Sequence, residues 1–300
     1  MTLTVPRLRG LALAGATTAL LMASGAAVAS SAPAPVAPDP APVTTTGAAS
    51  VSYDGYALHH NPDGTVIRWN PCEPIPYQVN PRNGGPTAEA DAAAAVDIVR
   101  RESGLNLVYT GTTDVVPQRG HGFDGTPANP RTPLVIAWAA PGTGPGTSSL
   151  LNGMGGAAGV GGVTTWSYTP PGAAQATPWQ VVSGFVVLDS RTYPQLAPGF
   201  GPAASSTRGR LVLHELGHAI GLDHTNTPGQ VMNPTVSGAA TPGFAAGDRK
   251  GLERVGRAAG GLDGAPCAGE PAPPVVAPAP SNPWLDFWSW LVALFLSFFR

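Results

Sequence analysis

The chain has 300 residues, of which 16 are basic and 18 acidic, leaving a formal charge of -2. Charge this sparse and balanced, with no basic block, lacks the electrostatic footprint of a nucleic-acid binder and excludes that class. The length exceeds one typical domain, so the first question is which segments can enter a packed core.

Residues 1–29 cannot. Arg7 and Arg9 precede an apolar run from Leu11 to Val28 that closes on Ala27-Val28-Ala29, the pattern of a secretory signal peptide. Residues 30–50 are mostly Pro, Ala, Ser, Thr and Val, with too little bulky apolar surface to offset chain entropy, and read as a linker. Residues 51–267 then form one domain, residues 268–283 a Pro-rich spacer, and residues 284–300 a hydrophobic tail. Within the domain, Ile75 to Asn80 alternates between prolines and predicts a first strand. A helix follows: Thr87 can cap it, Glu89 and Asp91 load its first turn, Ala92, Val96 and Val99 form its apolar stripe, and Gly104 ends it. Leu105 to Thr110 and Pro133 to Ala139 are the next strands, the second apolar enough to be buried on both faces. Glycine dominates between Pro141 and Gly162, which predicts an irregular loop, before an edge strand at Val163 to Tyr168 and another apolar strand at Val181 to Leu188. A helix from near Thr207 carries Leu213, Leu216 and Ile220 on one face, and a last helix, about Ala245 to Ala258, contains Asp248, Leu252 and Val255.

The chemistry is concentrated in Leu211 to Pro234, LVLHELGHAIGLDHTNTPGQVMNP. Residues four apart on a helix share a face, so His214 and His218 project together as a two-point metal clamp. Glu215 lies beside that face, where a general base belongs. Gly221 suits a left-handed helix end that turns the chain back and delivers His224. Three imidazoles with an open position describe one catalytic Zn2+, since a structural zinc is usually closed by four protein ligands. Zinc would acidify water, and Glu215 would take its proton.

HELGHAIGLDH fits the extended pattern HExxHxxGxxH of the metzincins, and the chain resembles the matrixin-like peptidases most. The resemblance implies an α/β (α+β) metzincin-like zincin fold: a mixed twisted sheet with an active-site helix, a Met-turn and a C-terminal helix. It makes Met232 the methionine packed beneath the ligands, and an extended protein or peptide substrate the partner of the edge strand. Pro234 stands where some relatives carry a tyrosine ligand, so no such ligand is expected. A second structural zinc or a structural calcium finds no support, since only His121, near Asp124, lies in mid-domain.

The less specific residues have plainer readings. His59 and His60 fall in a polar segment and read as a solvated pair. Trp138 and Trp166 read as strand packing. Cys72 and Cys267, two cysteines in an exported chain, predict one disulfide; Cys72 also lacks the surroundings of a matrixin latency cysteine. The tail, with Trp284, Trp288 and Trp290 early, is short for a bilayer span and suggests a membrane anchor or an interfacial helix. The expected activity is secreted zinc-dependent endopeptidase. The competing readings are a cell-surface metal-containing binding module with little turnover, against which the intact Glu215 argues, and a protease that processes its own linkers.

Overall fold

The expected central strand is Leu134–Pro141 (β5), and everything from Leu134 to Ala139 along it is buried. Its continuous apolar run fits this position, because it pairs in parallel on both sides, with Ile75–Asn80 (β3) and with Gln180–Asp189 (β8). Leu107–Thr112 (β4) lies beyond β3, also parallel, and Gly159–Trp166 (β7) closes the other edge antiparallel to β8. The order is therefore β4-β3-β5-β8-β7, with a two-residue strand, Thr147–Ser148 (β6), joined to the end of β5. This is the mixed sheet that the sequence leads one to expect. The structure is a computed structural model that describes residues 49–121, 132–167, 174, 177–200, 206–234 and 242–269. The signal-peptide segment, the Pro-rich segments up to residue 48 and beyond 269, the hydrophobic tail, Asp124 and Tyr168 lie outside the described residues.

Helix α1 (Ala88–Ser103) buries Ala92, Val96 and Val99 against the sheet and ends at Gly104 with φ 70°, the left-handed cap expected there. Thr87 departs from expectation: its hydroxyl does not cap the helix backbone but donates to Asp91 at 2.9 Å. Asp91 also accepts the buried Tyr193 hydroxyl at 2.6 Å, so this carboxylate gathers two hydroxyls. Helix α2 (Arg208–Ala219) packs on α1 and on β7, and α3 (Ala246–Val255) closes the lower part.

Two segments differ from the sequence reading. The glycine-rich stretch is not loop throughout: β7 starts at Gly159, so Gly159, Gly161 and Gly162 are strand residues. Gly159 and Gly161 lie against Glu215 of the later helix, and Gly162 against the Phe185 ring, where a Cβ would collide. The polar segment before β3 is a hairpin, Ala49–Tyr53 (β1) with Tyr56–His60 (β2), and β2 pairs with Leu222–Asp223 (β9) just after α2. Local periodicity is weak there because the strand depends on a partner more than 160 residues away, Ala57 facing Asp223 and Leu58 facing Leu222.

The two ends of the domain are held together at one place. Cys72 and Cys267 form a disulfide across 195 residues. Beside it, Arg68 donates to the carbonyls of Gly260 and Gly261, each at 2.6 Å, and the Trp69 indole N–H donates to the Ala219 carbonyl at 2.8 Å. A loop of this length gives a chain-entropy stabilisation of up to about 5 kcal/mol. Reduction, or the Cys72→Ser and Cys267→Ser pair, should lower the unfolding free energy from denaturant titration by an amount approaching that limit while non-reducing peptide mapping of the native chain finds the two cysteines linked. An unchanged unfolding free energy on reduction would remove this role.

Candidate metal centre and catalytic cleft

Helix α2 starts at Thr207, whose hydroxyl oxygen accepts the Arg210 backbone N–H at 3.4 Å. One face of the helix is sheet-facing, through Val212, Leu213 and Leu216; His214 and His218 share a different stripe, one turn apart. The helix stops at Ile220, and Gly221 has φ 112°. No side chain fits there for a second reason: a Cβ would sit 2.3 Å from the Ile67 carbonyl oxygen. The chain then pairs with β2 through β9 and turns His224 back towards the helix, its backbone N–H bound by the Asp223 carboxylate at 2.7 Å.

Nε2 of His224 lies 3.1 Å from Nε2 of His214 and 3.1 Å from Nε2 of His218. The other ring nitrogens are engaged with carbonyl oxygens: Nδ1 of His214 with Val231 at 2.7 Å, and Nδ1 of His218 with Leu222 at 3.0 Å. Those carbonyls can only accept, so the protons are on Nδ1 and the converging Nε2 atoms present lone pairs. Burial pushes His214 down to about 4 and His218 well below its usual range, and His224 is lowered too. His214 and His218 thus turn lone pairs towards the same ring nitrogen of His224, and together the three nitrogens could hold a cation. A zinc ion roughly 2.05 Å from each of three tetrahedral donors would set them roughly 3.3 Å apart, close to the observed spacing. The donor set fits the metal.

Glu215 lines the same pocket, a cavity of about 420 Å³, and is almost wholly buried. That burial raises its carboxyl to about 8, against a backbone N–H from Gly161 that favours the charged form. The glycines of β7 explain how the strand comes so close. A Cβ on Gly161 would lie 1.9 Å from the Glu215 carbonyl oxygen, and one on Gly159 would lie 2.9 Å from its carboxylate. Beneath the ligands, Met232 is buried with its sulfur 2.3 Å from where a Cβ on Gly217 would be, so the methionine occupies the space that this glycine vacates.

The Met232 segment is held from α3. Asp248, wholly buried, accepts the backbone N–H groups of Val231 at 2.6 Å, Met232 at 3.2 Å and Ala245 at 3.0 Å. Its own N–H donates to the Gln230 side-chain carbonyl at 2.9 Å. The sequence shows Asp248 only as an acidic residue in a first helical turn; its reach to the Met232 segment is a tertiary contact. His59 is the other residue missed. It is half-buried and lines the pocket, with Nδ1 3.4 Å from the Asp223 carboxylate and its ring 6.0 Å from that of His218. His60 is buried as well, Nδ1 facing the Leu58 carbonyl at 3.2 Å. His121 stands apart from the triad, edge-on to Phe185, and Trp138 and Trp166 are buried in their strands.

Residues 177–255 match the family model described as matrixin, a zinc-dependent metallopeptidase family. The match runs from just before β8 to the end of α3, about a quarter of the chain, and contains the three histidines, Glu215, Met232 and Asp248. The fold and this segment resemble those of the matrixin-like metallopeptidases. Comparison with curated proteins finds no match.

Two expectations follow. An imidazole held below its unfolded pKa of about 6.5 gives stability that is complete above that pH and is lost as pH falls towards about 4. Glu215 acts in the opposite sense: raised from 4.5 to about 8, it lowers stability as pH rises between those values. The imidazoles outnumber it on the acid side, so the metal-free chain should be most stable near about pH 6.5, and Glu215→Gln should abolish the decline above it. Denaturant midpoints across this range test both, and a monotonic profile for the metal-free wild type would contradict the assignment. Asp248→Ala leaves three backbone donors without their acceptor and should cost about 3 kcal/mol of stability and at least about tenfold in zinc affinity, read by unfolding and competitive chelation.

Proposed function

We propose that this chain is a secreted zinc-dependent endopeptidase, with His214, His218 and His224 as metal ligands and Glu215 as general base. The observation that carries the reading is the convergence of three Nε2 atoms, those of His214 and His218 unprotonated, beside a buried carboxyl group in one cleft. When bound, zinc supplies Lewis acidity that polarises a peptide carbonyl and lowers the pKa of water. Glu215 takes the proton of the attacking water and passes it to the leaving amine nitrogen, which keeps one group in both proton transfers. Its place against β7 puts that exchange at the open edge of the sheet. There the edge that β7 does not share with β8 can pair an extended peptide through its backbone.

Gly221 and Met232 support this arrangement, one by turning the chain and the other by filling the floor. Export rests on the pattern of residues 1–29, and attachment to a membrane on the apolar tail at 284–300. Among the described residues no helix is long and apolar enough to cross a membrane.

The test is a digest of a mixed peptide library by the full chain, read by mass spectrometry with and without a chelator. Internal cleavage that chelation stops and zinc restores is expected. Glu215→Ala should keep about one zinc per chain and lose hydrolysis by about two orders of magnitude or more, since the ligands remain and the base does not. Cleavage by that variant at the wild-type rate would overturn the mechanism, and a zinc-loaded wild type that cuts no peptide would overturn the activity.

A further inference from the structure

The pairing of β2 with β9 brings together two side chains that the chemistry above does not use. Asp223 pairs with Ala57, and His59, two residues further along β2, stands on the same face. Both line the cleft, with Nδ1 of His59 3.4 Å from Oδ2 of Asp223. No hydrogen bond joins them: Nδ1 is buried and has no hydrogen-bond partner among the described residues. The other carboxylate oxygen, Oδ1, accepts the His224 backbone N–H at 2.7 Å, which fixes the carboxylate and leaves Oδ2 turned to the imidazole. A buried ring nitrogen without a partner beside a carboxylate oxygen is costly to the fold, and a cation would satisfy both atoms at once. Zinc takes such donors at roughly 2.0 to 2.2 Å, which sets tetrahedral neighbours roughly 3.3 to 3.6 Å apart, and the observed 3.4 Å falls within that span. His218 adjoins them: one ligand atom from each of His59, His218 and Asp223 lies within 4.8 Å of the others.

We propose that His59 and Asp223 hold a second zinc ion beside the three histidines, and that its binding closes the cleft to substrate. The site stands on this geometry alone, whereas the inhibition rests on the peptidase reading. His218 cannot offer Nε2 to both ions, and its Nδ1 faces the Leu222 carbonyl at 3.0 Å. With the three histidines occupied, the second ion has two protein donors and water for the rest of its shell, so it binds more weakly than the first. It therefore loads only when zinc exceeds what the three histidines take up. His59, His218, Asp223 and His224 line one cleft, so an ion between them fills room that a peptide needs. His59 belongs to β2, outside the segment that matches the matrixin model, so this donor pair is not part of the local motif that holds the first ion. The plainer role for the pair is an ion pair that ties the hairpin to β9, which would leave the number of bound ions unchanged when either residue is replaced.

The experiment starts with equilibrium dialysis of the metal-free full chain against zinc. About two ions per chain are expected, the second at least about tenfold weaker than the first. His59→Phe and Asp223→Asn should each keep the tighter ion and lose the weaker one. The asparagine retains an oxygen for the His224 N–H, so it carries the test should the phenylalanine chain fail to fold. A single ion on the wild type at saturating zinc, or a second ion kept by both variants, would overturn the site. Hydrolysis of a peptide that the wild type cuts should fall by at least about tenfold between one equivalent of zinc and saturation of the second site. Each variant, compared with its own rate at one equivalent, should show no such fall. Two ions with undiminished hydrolysis would uphold the site and overturn the inhibition. Two ions on a chain that cuts no peptide would support the site and sink the peptidase reading together with the inhibition drawn from it.

Discussion

The contact between the backbone of β7 and the backbone of α2 sets the terms for the rest of the site. With only 1.9 Å between a would-be Cβ on Gly161 and the Glu215 carbonyl oxygen, strand and helix touch without an intervening side chain. This closeness buries Glu215, brings the Gly161 N–H to its carboxylate, and puts the sheet edge at the metal ligands. The same logic recurs twice on α2. Gly217 yields to the Met232 sulfur, and Gly221 yields to the Ile67 carbonyl oxygen, so the helix is fitted on three sides by residues that have no side chain to spare. Close packing of this kind leaves few alternative positions for the imidazoles, which is what a metal centre with three fixed donors needs.

Charge is arranged around the helix with comparable economy. Burial holds the imidazoles neutral against the carbonyls on Nδ1 of His214 and His218, which favour the charged form; burial also raises the carboxyl of Glu215 in the metal-free chain, a shift that the charge of a bound cation would oppose; and Arg210 is the fixed positive charge one turn away. On the far side Asp248 spends its negative charge on backbone donors of the Met232 segment. That carboxylate does two things at once: it begins α3 and it fixes the floor under the ligands. Losing it would loosen the ligand sphere from below without touching any ligand, which is why its role is one of positioning.

What the sequence makes legible follows the range of the interactions. His214, Glu215, His218, Gly221 and His224 are set by spacing within one helix and one turn, and such local geometry can be read from residue order alone. The central strands are legible because burial on both faces demands an unbroken apolar run, as in Leu134 to Ala139. The misreadings involve residues whose meaning comes from a distant partner. Gly159 and Gly161 look like loop residues until α2 is laid over them, and the β1–β2 hairpin looks polar until β9 pairs with it. Thr87 looks like a cap, but Asp91, which also serves Tyr193, is the stronger attraction for its hydroxyl. Nothing in the sequence around Arg210 tells that its guanidinium is buried.

The segment that matches the matrixin description holds the ligands, the base and the methionine, but it does not build the cleft alone. His59 on β2 and the glycines of β7 come from outside it, and they form the wall facing the histidines and the edge along which a peptide can lie. The hairpin reaches that position because β2 pairs with β9, the two residues that immediately precede His224. A shift in the hairpin would therefore move a ligand as well as a wall. The disulfide and the Arg68 contacts reinforce the same region by tying the chain just after the hairpin to its end after α3. General chemistry is thus carried by a short local segment, whereas the shape of the cleft depends on contacts spanning nearly the whole domain.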